Sequence, residues 1–504
     1  MSRRNAPRLL LSALALACLA ALPACRRDAQ PQAAADVATR LKLKPCTLPT
    51  PHSGKSVEAY CGTFSVPENR AAPTGRKIAL NVAWIAPDSP ADTQPDPVVF
   101  LAGGPGQSAV ESYPLLSPVF ADVNKKRGVL LIDQRGTGKS NPLNCPQDEA
   151  AADPATPAEA VAQMEALTRR CIDELSRRAD LSRYTTTDAV ADLEDVRKAI
   201  GAPAYNLVGV SYGTRVAQQY ALRHPATART LTLDSPVPNT LGLGNIFARN
   251  LDDALAAQFA LCRESPACAK KMGDPRAELQ TLLDRLRAQP VRVAYRDAST
   301  GEEKTETLTA STVAGLVRMY AYMPAAAALL PQLIHEANQG RHAGLMALAG
   351  MLKGETKDAM AMGMQMSVVC TEDAASMVPR DADTDTVLGN EITRGMASAC
   401  TLWPKGAKPA DFNTPLKGDL PVLVLAGEFD PVTPPRYGEE IVKTLPRSRL
   451  LVMKGQGHGV LAAGCMPKLF AQFVEGADAK ALDAKCLAGL GPTPPFTGFN
   501  GWEP

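Results

Sequence analysis

Gly209-Val210-Ser211-Tyr212-Gly213 places a serine between glycines at the spacing G-x-S-x-G. In that pattern the serine occupies a sharp, strained turn from strand to helix, where larger flanking residues would clash. A serine hydroxyl becomes a useful nucleophile only when a base takes its proton, so a histidine must reach it and an acid must orient that histidine. On such a turn the chain order is Ser, Asp or Glu, His. Of the histidines after Ser211, His224 falls in the helix that follows the serine, while His335 and His342 fall in a later helical stretch. His458 is left, in Gly455-Gln456-Gly457-His458-Gly459, where glycines let the backbone turn an imidazole inward. Asp430, in Gly427-Glu428-Phe429-Asp430-Pro431, is the acid expected to hold that imidazole's tautomer; Glu428 and Asp234 compete for the role. An oxyanion would be met by the N–H of Tyr212 and by one from Gly103-Gly104-Pro105-Gly106, with Gly104 preferred over Gly103. A phosphate cradle is the alternative for those glycines, but the lysine and hydroxyl of a P-loop are missing.

These side chains need strands to end beneath them. Val98–Leu101, Val129–Ile132, Tyr205–Val210, Thr230–Asp234 and Pro421–Gly427 are short apolar runs that stop at glycine turns or at candidate residues, as buried parallel strands do. Lys77–Ile85 alternates and predicts a half-buried strand. Thr187-Asp188 offers a cap for a helix through Val190, Leu193, Val196 and Ile200, closed by Gly201, and a second helix spans 214–223. After Pro421–Gly427 a helix near 436–445, the strand Arg449–Met453 and a helix near 467–475 are expected in turn. The alternation predicts an α/β fold, a mostly parallel sheet flanked by helices. It is interrupted over 240–415 by a stretch of helical period with a candidate hairpin across 291–309. The expected layout is a core in two parts, 46–239 and 416–476, a mostly helical cap inserted at 240–415, and a C-terminal tail at 477–504.

The chain has 504 residues, 45% hydrophobic and 21% charged, with a formal net charge of +2. That balance suits a sizeable folded core, and near-neutral charge with 5% aromatics argues against a nucleic-acid binder. Arg3, Arg4 and Arg8 precede the apolar run Leu9–Leu22, which reads as an export signal too short to span a membrane. Leu22-Pro23-Ala24-Cys25 resembles a lipoprotein processing site, which would lipidate Cys25; ordinary secretion is the alternative. Residues 1–25 are therefore read as a signal and 26–45 as a flexible tether. Membrane contact is expected only through that anchor.

Of twelve cysteines, Cys18 lies in the signal and Cys25 is the lipid candidate, leaving an even ten, as disulfides in an exported chain require. The low cost of closing short loops favours neighbours: Cys46–Cys61, Cys145–Cys171, Cys262–Cys268, Cys370–Cys400 and Cys465–Cys486. With no C-x-x-C and five scattered histidines, no metal site is expected, and the chemistry calls for no cofactor.

Taken together, the glycine loop at 103–106, Asp133-Gln134-Arg135-Gly136-Thr137-Gly138, the serine turn, Gly427-Glu428-Phe429-Asp430-Pro431-Val432-Thr433-Pro434 and Gly457-His458 resemble the proline iminopeptidase family of the α/β-hydrolase fold. The similarity spans about residues 60–475 and points to the exported tripeptidyl-aminopeptidase-like branch. Iminopeptidases proper carry a histidine where this chain has Ala102, which favours that branch. The resemblance implies a serine exopeptidase acting on a peptide with a free N-terminus, through an acyl-enzyme. Such a substrate's ammonium needs a carboxylate. Glu372 and Asp373, which a 370–400 disulfide would fix in the cap, are candidates, with solvated surface acids as the alternative. Arg135 could support the glycine loop or simply serve a tight turn. A carboxylesterase using the same triad and a non-catalytic peptide-binding envelope protein are the competing expectations.

Overall fold

The computed structural model describes residues 33–51, 53–146, 156–356, 360–498 and 500–502. The export signal and Cys25 lie outside them. Residues 33–45, expected to be part of a loose tether, instead begin the fold. Helix α1 (Ala33–Arg40) and the turn after it bury Val37, Ala38, Leu41 and Leu43 in the core, so apolar burial outweighs the polar composition that suggested a linker.

Nine strands form one sheet: β1 (Lys44–Pro49), β2 (Ser56–Pro67), β3 (Lys77–Ile85), β4 (Val98–Leu101), β5 (Val129–Ile132), β6 (Tyr205–Val210), β7 (Ala228–Asp234), and, beyond a separate antiparallel hairpin of β8 (Val291–Arg296) and β9 (Glu303–Leu308), β10 (Val422–Gly427) and β11 (Ser448–Met453). Their order is β1-β2-β3-β5-β4-β6-β7-β10-β11. From β5 to β11 every neighbour is parallel; β1, β2 and β3 extend the sheet antiparallel. Every residue of β4, β5 and β10 is buried, because helices cover both faces of a parallel sheet. Alternate residues serve opposite faces: Val99 and Leu101 join one core cluster, Val98 and Phe100 the other. From β4 the chain crosses to β5 on one side and then returns to β6 on the other. The carboxyl ends of β4 and β6 therefore adjoin at a switch point, where such sheets bind ligands.

After α1, three further helices among the described residues precede the serine turn: α2 (Ala109–Asn124), α3 (Pro157–Leu175) and α4 (Thr186–Ile200). Thr185, not Thr187 or Asp188, caps α4, its hydroxyl accepting the N–H of Asp188 at 3.2 Å, and Gly201 closes the helix at φ 67°. The inserted block carries its own apolar core, around Leu255, Phe259, Leu282, Val317 and Ile334. Five disulfides join Cys46–Cys61, Cys145–Cys171, Cys262–Cys268, Cys370–Cys400 and Cys465–Cys486, the sequence neighbours.

Candidate active site

Ser211 sits between the last residue of β6 and the first of α5 (Tyr212–Arg223), at φ 56° and ψ −122°. A backbone that few non-glycine residues adopt is held here by close packing. A Cβ on Gly209 would lie 2.4 Å from the Gly213 carbonyl oxygen, and one on Gly213 2.2 Å from that of Leu101, so only glycine fits either flank. The turn thus presses helix α5 onto the end of β4 and leaves Ser211 partly exposed.

The glycine loop leaves β4 directly beside it. A Cβ on Gly103 would meet the Ser211 Cβ at 3.2 Å, and Gly104, next to it, has φ 107°. Its support comes from Asp133, not Arg135. The Asp133 carboxylate accepts the Ser108 hydroxyl at 2.6 Å, the Val110 N–H at 3.0 Å and the Asn81 amide at 2.8 Å, which fixes the start of α2 behind the loop. Arg135 is buried elsewhere, paired through Nε and Nη2 with both oxygens of Asp192 at 2.7 Å, and serves the turn structurally. A cavity of about 20 Å³, room for about one water, lies behind the loop against Ala102, Gln107 and Gln134.

Asp430 and His458 follow β10 and β11 at the same end of the sheet. The two loops touch: a Cβ on Gly427 would fall 1.9 Å from the Gly457 carbonyl oxygen. The His458 Nδ1 lies 2.9 and 2.8 Å from the two oxygens of Asp430. Asp430 Oδ1 also accepts the N–H groups of Val432 and Thr433 at 2.9 and 2.8 Å, and Oδ2 the Thr433 hydroxyl at 2.9 Å. Burial opposes charge on Asp430, but His458 and these donors outweigh it and hold the carboxyl below its usual range. Burial likewise opposes protonation of His458, yet Asp430 draws the imidazole's pKa upward. With Nδ1 committed to Asp430, the ring's other nitrogen is the one left to take a proton from a hydroxyl.

Three contributors escaped the sequence reading. Thr433 completes the cradle of Asp430. Tyr322, in the cap, accepts the His458 N–H on its carbonyl at 3.0 Å and sets its ring edge-on to the imidazole at 5.1 Å. Asp234, which the sequence offered only as a competing acid, instead binds the loop beyond His458. The motif Asp-Pro-Val-Thr held a signal for Thr433, since a hydroxyl three residues past a buried aspartate is placed to return to it. Nothing in the sequence marked Tyr322.

Glu372 and Asp373 are corrected. Both are buried, 3% and 2% exposed, and face inward instead of lining an open cleft. Glu372 accepts the Thr186 N–H at 2.7 Å and its hydroxyl at 2.9 Å. Thr186 in turn shares a 2.6 Å hydrogen bond with the Tyr212 hydroxyl. Asp373 pairs with the buried Arg215 at 2.8 Å. The disulfide at Cys370 does fix them, but against helices α4 and α5.

A serine on a strained strand-to-helix turn, a glycine loop beside it and a histidine held by an aspartate, all at the carboxyl end of a parallel sheet, fit a serine hydrolase. The chain belongs to the α/β-hydrolase fold family, whose model matches residues 96–462. It is 25% identical to the serine protease Hip1 of Mycobacterium tuberculosis over 483 residues, 88% of this chain and 90% of that one. Against the tripeptidyl aminopeptidase of Streptomyces coelicolor it is 27% identical over 467 residues, covering 86% and 84%. A crystal structure of proline iminopeptidase from Mycobacterium smegmatis aligns with 84% of this chain and 100% of its own, at 18% identity and a TM-score of 0.40.

Proposed function

We propose that the protein is an exported aminopeptidase that releases short peptides or amino acids from free peptide N-termini. The observation that supports the catalytic part is the Asp430–His458 pair, which lies at the same end of the sheet as the strained Ser211 turn. Ser211 Oγ attacks the scissile carbonyl while His458 takes the hydroxyl proton. The oxyanion receives the N–H groups of Tyr212 and Gly104, and His458 then returns the proton to the leaving amine. Water hydrolyses the acyl-enzyme by the same relay. Similarity to a serine protease and a tripeptidyl aminopeptidase along most of the chain supports a peptide over an ester substrate. Because Glu372 and Asp373 are engaged internally, neither is assigned to the substrate's ammonium.

Export is supported by five disulfides, which persist in oxidising compartments, and by the basic and apolar N-terminal residues. Lipidation of Cys25 extends that reading, and incorporation of labelled fatty acid that Cys25→Ser abolishes is its test. For the activity, p-nitroanilides of matched free and N-acylated peptides should differ at least tenfold in kcat/KM, about 1.4 kcal/mol of recognition. Equal rates would overturn amine recognition, and hydrolysis of short acyl esters alone would overturn the peptidase reading.

A further inference from the structure

Asp234 ends β7 and takes no part in the proton relay, yet it is bonded to both sides of it. Its carbonyl accepts the N–H of Ser211 at 2.9 Å. Its carboxylate accepts the N–H of Val460 at 2.9 Å to each oxygen and that of Leu461 at 2.8 Å, directly beyond His458. Ser235 extends the arrangement: held at φ 56°, it offers its hydroxyl oxygen to the N–H of Gly459 at 2.9 Å. Three successive N–H groups after His458 are thereby held by two successive residues of a neighbouring strand end. The loop they hold has glycine at 455, 457 and 459 and no regular secondary structure; Glu428 and Tyr322 pin its first half through the N–H groups of Gly455 and His458, and the bonds to Asp234 and Ser235 pin the half beyond the histidine. We propose that Asp234 is a positioning residue whose ionised carboxylate clamps the His458 loop in register with Ser211. The clamp ties serine activation to the charge of a second aspartate.

The inference rests on the triad reading above. Asp234 is 1% exposed. Burial pushes its carboxyl up to about 6, against the pull of the Val460 and Leu461 N–H groups and of His458. Among the described residues the charged groups acting on it are His458, across the loop, and Asp430, from the end of β10. A protonated carboxyl carries an O–H that needs an acceptor, whereas this one meets the N–H groups of Val460 and Leu461 and the Ser235 hydroxyl, which donates to Oδ1 at 3.3 Å, so protonation opposes the clamp. Protonation of His458, whose pKa Asp430 draws upward, removes the base, and protonation of Asp234, which burial brings to about 6, releases the loop.

The test is the rate at which a fluorophosphonate labels Ser211 in the full chain, across the pH range where the circular dichroism is constant. That rate reads serine activation whatever the natural substrate is. For the wild type the logarithm of the rate should fall with a slope of one as His458 titrates and steepen towards two below about pH 6. Asp234→Asn should label roughly tenfold to a hundredfold more slowly at pH 7.5, because small misplacements of a reacting group cost that much, and its acid limb should keep a slope of one. Ser235→Ala, which removes the acceptor for Gly459 and one weak donor to Asp234 but leaves the carboxylate and its two N–H partners, should label more slowly by a smaller factor and retain the steep limb. A wild-type slope of one throughout, or an Asp234→Asn protein with the wild-type rate and profile, would overturn the proposal. If Asp234→Asn does not fold, the wild-type slope and Ser235→Ala decide alone. Absence of labelling in the wild type at every pH would instead sink the triad itself.

Discussion

Thr433 carries one hydroxyl into the space between Asp430 and His458, 2.9 Å from the carboxylate oxygen and 3.3 Å from Nδ1. Thr433→Val keeps the shape and removes one charge-assisted bond, about 1.5–3 kcal/mol of support for the ionised acid. The expected outcome is a kcat lower by roughly tenfold or more with KM nearly unchanged, read from steady-state kinetics. Asp430→Asn should cost about 10⁴ in kcat, as loss of the orienting acid does elsewhere. It should also move the acid limb. Asp430 raises the His458 pKa, so the wild-type activity rises with pH through a midpoint above the ordinary 6.5. Without that carboxylate the midpoint should shift to lower pH, because burial alone disfavours the imidazolium. Ser211, Asp430 and His458 could be picked out as candidates because each stands in a short motif and the chain order of such residues is constrained, and the structure brings Asp430 and His458 together. Glu372 and Asp373 were placed in the cap by their cysteine neighbour, but adjacency along the chain does not reveal which way a side chain points.

At the level of elements, the fully buried strands were the most readable. Tyr205–Val210 and Lys77–Ile85 fall where the apolar pattern put them, since burial on both faces or on one leaves a period in the sequence. Helix α2 left no clear pattern: Pro114 and Pro118 interrupt it, and tertiary packing of Tyr113, Val119 and Phe120 sustains it. The helix Met362–Glu372 brings Glu372 against α4 and α5. There the buried Arg215 faces both Asp373 and Glu372. Burial raises the Glu372 carboxyl to about 8, with Arg215 opposing. A carboxyl that binds its proton more tightly when folded contributes stability below the unfolded pKa, near 4.5, and loses it as pH climbs towards 8. The wild type should therefore melt at a lower temperature at pH 8.5 than at pH 6. Glu372→Gln, which resembles the protonated form, should show a smaller drop in differential scanning calorimetry.

Across the whole molecule, the C-terminal residues are more than a tail tied back by a disulfide. Beyond Cys465–Cys486, the Leu482 carbonyl accepts from Arg449, and Pro492 packs against Gly455 at the foot of the His458 loop. The Phe496 N–H then reaches the Ala328 carbonyl, and Lys271 the Thr497 carbonyl, both in the cap. The segment straps the cap to the core beside the active site. Truncation after residue 490 should increase protease nicking within the cap and lower activity, while leaving far-UV circular dichroism nearly unchanged. Within the cap, replacing Cys370 and Cys400 together by serine should lower stability by about 3–4 kcal/mol, the loop-closure value for a separation of 30 residues.

The sequence alone determined the mostly parallel sheet flanked by helices and marked Ser211, Asp430 and His458 as candidates, because burial periodicity and turn chemistry are local and leave their mark in consecutive residues. Only the tertiary structure decided that Asp234 holds the histidine loop, that Tyr322 reaches it from the cap, that Glu372 turns inward and that residues 33–45 are folded. Each of these depends on which distant backbone N–H, carbonyl or apolar surface arrives opposite a side chain, and that is settled by how the strands order and the helices pack.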